Sequence, residues 1–177
     1  MTRRLFFEAR SMQLVAIIAA VIGQATAASA GKITCIRDLT AAGMQLEAAR
    51  NDIDDASKNC LRYLLPASKQ RCKENIENAS TSLVAANAHV LKMNVDCEGS
   101  GILEACSGDF ATFENTLHSA IDEVSGASSN CFSAGNSARS CFDSVLKASV
   151  DVVGTVKRFA SVADECEPPK ARLLRGR

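Results

Sequence analysis

Apolar residues recur along this chain in alternating steps of four and three, in four stretches that each open and close on a cysteine. The first runs Cys35, Leu39, Ala42, Leu46, Ala49, Ile53, Ala56, Cys60, and the second Cys72, Ile76, Ala79, Leu83, Ala86, Val90, Met93, Cys97. The third is Cys106, Phe110, Phe113, Leu117, Ala120, Val124, Ala127, Cys131, and the fourth Cys141, Val145, Ala148, Val152, Thr155, Phe159, Val162, Cys166. Of the 24 positions between the cysteines, 23 are apolar against 47% of the whole chain, so the pattern is not a by-product of composition; only Thr155 departs from it. Steps averaging close to 3.6 residues hold such positions on one stripe of an α-helix. A stripe this narrow is the seam of helices that pack at shallow angles. Strand-like alternation is absent.

The pattern therefore predicts an all-α fold, a disulfide-stapled up-down four-helix bundle, with helices near 35–64, 69–96, 102–126 and 139–165. Pro66, the pair Gly99 and Gly101, and Gly135 fall between the stretches, where helices stop and the chain turns. Ser140 with Asp143 three residues on reads as a cap for the fourth helix. Gly126 is a candidate stop for the third helix, and Gly154 should cost the fourth about 1 kcal/mol relative to alanine.

The eight cysteines, Cys35, Cys60, Cys72, Cys97, Cys106, Cys131, Cys141 and Cys166, are spaced C-x24-C-x11-C-x24-C-x8-C-x24-C-x9-C-x24-C. Their even number in an exported chain reads as a disulfide framework. Zinc is set aside at this stage because no close CxxC pair occurs. Twenty-five helical residues span about 37 Å, whereas bridged Cα atoms lie about 5.5 Å apart, so no stretch closes on itself. An up-down bundle puts Cys60, Cys72, Cys131 and Cys141 at one end and Cys35, Cys97, Cys106 and Cys166 at the other. At the first end Cys60–Cys72 and Cys131–Cys141, stapling the two hairpin loops, are preferred. At the other, Cys35–Cys97 with Cys106–Cys166 and Cys97–Cys106 with Cys35–Cys166 remain nearly equal.

Export itself is read from the first thirty residues. Arg3, Arg4 and Arg10 form a positive region, Leu14 to Gly23 an uninterrupted apolar or small run, and Ala28-Ser29-Ala30 a signal-peptidase site. The run turns polar at Gln24, short of the roughly 20 apolar residues that a spanning helix needs. The expected organisation is a signal peptide at 1–30, a disulfide-rich helical domain at 31–169 and a basic, disordered tail at 170–177. The domain carries 13 basic and 19 acidic residues, net −6, which argues against nucleic-acid binding. In the tail, Lys170, Arg172, Arg175 and Arg177 follow Pro168-Pro169 without a compensating acid. They are candidates for contact with an anionic surface.

Catalytic signatures do not emerge. There is no GxSxG, HExxH or phosphate-cradling glycine loop. His89 and His118 flank the seam on separate helices and read as boundary residues. The string Asn51-Asp52-Ile53-Asp54-Asp55 lacks the glycine and terminal glutamate of a calcium loop, and Ile53 belongs to the seam. Asn78-Ala79-Ser80 is an N-glycosylation sequon on the second helix, with Asn78 off the seam.

The signal peptide, the long Ala/Ser-rich amphipathic helices and the cysteines at helix ends together resemble the secreted insect proteins of the TsetseEP-domain type and other small helical proteins of insect gut, saliva and haemolymph. The likeness covers residues 35–166 in general form and carries over no functional residue. It implies an extracellular, non-catalytic protein. The expected function is thus a secreted, non-enzymatic binding or interaction protein of an extracellular fluid such as saliva, gut content, haemolymph or seminal fluid. It would need no cofactor, would not be an integral membrane protein, and would have an extracellular protein or surface as partner. Two alternatives are a carrier of a small apolar ligand held between the helices, lined by Phe110, Phe113 and Phe159, and a helical-bundle enzyme inhibitor.

Overall fold

The computed structural model describes the backbone of residues 5–62, 65–97, 102–133, 135 and 137–166, and the side chains of these from residue 33 to residue 164, except 102–107. It contains four helices: α1 (Leu5–Cys60), α2 (Pro66–Asp96), α3 (Ile102–Phe132) and α4 (Ala138–Cys166). Helices α1 and α2 form one antiparallel hairpin and α3 and α4 the other, and the α1–α4 and α2–α3 contacts close them into a bundle. No strand occurs among the described residues, and none of their helices is long and apolar enough to cross a membrane.

The seam is the core. Almost every described seam residue is at most 5% exposed, from Cys35 and Ala42 on α1 to Val162 on α4. The large fully buried side chains include Leu46, Ile53, Ile76, Leu83, Met93, Phe113 and Leu117, each of which stabilises the fold by about 1.5–3 kcal/mol relative to exposure. Alanines between them (Ala49, Ala79, Ala86, Ala120, Ala148) let facing helices approach closely. Thr155 is fully buried too. Its hydroxyl lies 2.9 Å from the Asp151 carbonyl in its own helix and 3.0 Å from the Thr116 carbonyl of α3. The one polar residue of the seam is thus a satisfied link between two helices.

Several helix boundaries differ from the expected ones. Helix α1 is continuous from Leu5, upstream of residue 35, through a stretch rich in strong helix formers. It ends at Cys60, and a short turn follows, with the Arg62 N–H donating to the Asn59 carbonyl. Pro66 does not lie in the loop; it is the first residue of α2, where its missing N–H costs nothing and its fixed φ suits the helix. Helix α3 runs past Gly126 to Phe132, because one glycine costs about 1 kcal/mol while Ala127 and Cys131 beyond it are still buried. The cap of α4 is Ser137 rather than Ser140: its Oγ accepts the Ser140 N–H at 3.1 Å, which places Ser140 inside the helix. Between α3 and α4, Gly135 has φ +90°, a conformation that glycine adopts without steric cost.

Three disulfides are seen, Cys35–Cys97, Cys60–Cys72 and Cys131–Cys141. The two hairpin staples are as expected, and Cys35–Cys97 decides between the alternatives at the far end. Cys106 and Cys166 have their side chains outside the described residues, as do all atoms of Lys170, Arg172, Arg175 and Arg177.

Candidate functional site

Two seam residues are only partly buried, Leu39 on α1 and Phe159 on α4, and both lie toward the Cys35 end. There α1 carries a glycine where a larger residue would collide: a Cβ on Gly43 would sit 2.8 Å from Cε1 of Phe159. One edge of the ring therefore packs close against the α1 backbone at Gly43. Beside it runs a groove of about 690 Å³ between α1 and α4. Its floor and walls are Gly43, Leu46, Ala48, Val156, Phe159, Ala160 and Ala163, with Met44 on one lip and Thr40, Glu47 and Asn51 as its polar rim. Met44 is 69% exposed, an unbranched and adaptable side chain at the entrance.

Of the three phenylalanines expected to line a ligand site, only Phe159 does so. Phe113 is fully buried and stacks at a tilt against Phe159, with ring centroids 5.3 Å apart, and Phe110 stacks in turn on Phe113 at 6.2 Å. They fix the Phe159 ring from behind. The space beside Phe159 is thus a surface groove between the hairpins.

A second feature lies between α1 and α2. Asp38 is only 4% exposed, and its Oδ1 is 3.0 Å from Nδ1 of His89. Oδ2 has no hydrogen-bond partner among the described residues. Burial pushes the Asp38 carboxyl up, but side-chain hydrogen bonds with His89 and Asp96 and the electrostatic attraction of His89 and Arg37 together hold it below its ordinary 3.8. Asp38 was not legible as a core residue because the four-three step from Cys35 lands on Leu39. The signal that finds it is the alternative step: Asp38 is three residues after Cys35 and four before Ala42. His118 is exposed on α3.

The remaining candidates are surface features. Asp54 and Asp55 pair with Lys58 at 2.7 and 2.9 Å, so the acidic string is a solvated helix face. Asn78 is exposed on α2 while Ala79 beside it is buried. The cysteines form the densest cluster of ligand-bearing atoms. The sulfurs of Cys60, Cys72, Cys131 and Cys141 all lie within 4.8 Å of one another, as two neighbouring disulfides. No protein-family model, curated protein or solved structure matches this chain.

Proposed function

We propose that this is a secreted, non-enzymatic binding protein whose α1–α4 groove takes a small apolar ligand. The groove carries this reading. At about 690 Å³ it falls within the roughly 300–1,000 Å³ of small-molecule sites, and it joins an apolar wall to a few polar rim groups as such sites do. The ring of Phe159, held by Phe113 and seated on Gly43, gives it one rigid aromatic face. The N-terminal signal-peptide pattern and the disulfide framework support export, where bridges persist. The test is titration with a fluorescent apolar probe. Ala160→Trp, which fills the groove from its α4 wall, should weaken binding at least tenfold with the helical circular dichroism unchanged. Equal affinity in the two proteins would sink the proposal.

A second reading, a protein partner, has its own observation. Val84, Leu91 and Val95 are 55%, 56% and 70% exposed on α2, and with the exposed Ala88 they repeat the four-three-four step on the outer face. Such a stripe suits an apposed helix of another protein. Size-exclusion chromatography of the native source fluid should then show the chain in a complex that Leu91→Glu dissolves. Elution of both as monomers would leave the stripe without this role.

A further inference from the structure

The Cys60–Cys72 and Cys131–Cys141 bridges belong to different hairpins, yet their four sulfurs share one buried site within 4.8 Å of one another. We propose that, when both bridges are reduced, these four thiolates close on a zinc ion and tie the two hairpins together at this end of the bundle. The inference concerns the reduced chain and stands apart from the groove.

The geometry is close to what the metal needs. Tetrahedral coordination at a Zn–S distance of about 2.3 Å sets the sulfurs about 3.8 Å apart. Sulfurs of different bridges then have to approach by about 1 Å at most, and those of one bridge, 2.05 and 2.02 Å apart while bonded, have to separate by about 1.7 Å once reduced, both through χ1 adjustment on fixed helices. Paired Cα atoms are already 5.0 and 4.3 Å apart. All four cysteines are at most 2% exposed, so the site is dry, and an all-sulfur donor set selects a soft or borderline metal over calcium or magnesium. Cys141 lies in the first turn of α4, where the helix dipole favours thiolate. Cys60 and Cys131 lie at or next to helix C-termini, where it does not, and there the metal supplies the compensating charge. The Lys73 ammonium, on the residue after Cys72, lies 5.9 Å from the ring centroid of Phe132, the residue after Cys131, a cation–π contact across the two hairpins.

The chemistry balances with a dithiol as reductant. Each bridge takes up two electrons and two protons, and each dithiol leaves as its own disulfide. Zn²⁺ then displaces four thiol protons and forms four Zn–S bonds. Oxidised, each hairpin is stapled to itself; reduced and metallated, the hairpins are joined to each other.

Cobalt, spectroscopically visible, is the probe. The full chain bearing Cys35→Ser and Cys97→Ser, which leaves this end as the only intact set of four, is reduced anaerobically with a phosphine and titrated with Co²⁺. Intense sulfur-to-cobalt charge transfer and tetrahedral ligand-field bands should saturate at one equivalent and be bleached by Zn²⁺. The same bands should be lost in Cys131→Ser with Cys141→Ser. Bands that persist in that second variant, or none in the first, overturn the proposal. Where reduction lowers helicity, Zn²⁺ should restore it in the first variant, and failure to do so overturns the proposal equally.

Discussion

Replacing His89 by alanine should destabilise the protein more than replacing its partner Asp38, although Asp38 is the more deeply buried of the two. The reason lies in what each deletion leaves behind. Asp38 is 4% exposed, Oδ2 has no hydrogen-bond partner among the described residues, and Oδ1 is held by His89 at 3.0 Å. Without the imidazole a buried carboxylate keeps its charge and loses its donor. Breaking a fully buried pair costs about 3–5 kcal/mol. The His89 side chain is 27% exposed, so water enters the space it vacates, and the expected loss falls to about 2–3 kcal/mol. Asp38→Ala leaves only a part-exposed histidine, which water satisfies, and should cost about 1 kcal/mol. The double variant, with the stranded carboxylate removed, should be more stable than His89→Ala alone. Guanidinium unfolding at neutral pH with the bridges intact, followed by circular dichroism, measures all three. A double variant that equals the sum of the singles would refute the reasoning, because it would show that the two groups are not coupled. The pH dependence has a fixed sign. The Asp38 carboxyl is held below 3.8 in the folded chain, so its contribution is present above that value and is lost as pH falls through the lower, folded one. Stability of the parent should therefore drop below about pH 4, and less steeply in Asp38→Asn.

Three further outcomes are expected. Peptide mapping of unreduced protein should find Cys106 joined to Cys166, since the three bridges seen use the other six cysteines; a Cys106 peptide linked elsewhere would contradict the bundle's end assignment. Gly43→Ala should change stability by no more than about 1 kcal/mol, because alanine's helix-propensity gain offsets displacing the tip of the Phe159 ring, which its Cβ would meet at 2.8 Å; probe binding should weaken as the ring moves into the groove, and a variant with unaltered binding would mean that the ring does not form the wall. Deleting 170–177 should leave the melting temperature unchanged but abolish salt-sensitive retention on heparin, and a full-length chain with no such retention would assign the tail no anionic surface.

The bundle was legible because its evidence is local and repeated. Each seam position is fixed by neighbours three and four residues away, and errors in one stretch are corrected by the next. The register failed only near the ends. A strict seven-residue repeat averages 3.5 residues per turn against 3.6 in a straight helix, so the stripe drifts by about 20° per heptad. Near the Cys35 end that drift favours Asp38 over Leu39 as the inward residue and turns Phe159 partly outward. Helix stops were misjudged for a related reason. Gly126 and Pro66 are local signals that packing overrides: burial of Ala127 and Cys131 carries α3 onward, and Pro66 opens a helix rather than interrupting one.

The groove and the sulfur cluster were beyond such reading because both are made between hairpins. Gly43 has no meaning as a helical glycine until Phe159, on the fourth helix, is seen above it. Aromatic spacing placed Phe110, Phe113 and Phe159 on one side of the second hairpin, but whether they enclose space or fill it depends on how far α1 stands from α4. Phe113 is fully buried, whereas Phe159 lines the groove where α1 offers the Gly43 backbone instead of a side chain. The cysteines show the same division. Helix length alone put Cys60, Cys72, Cys131 and Cys141 at one end, and the absence of a CxxC pair then argued against metal. That argument assumes ligands must be close in sequence to be close in space. In this bundle the four cysteines do form two disulfides, as the spacing predicts, and what no short motif announces is that the two bridges, from different hairpins, meet with four sulfurs within 4.8 Å.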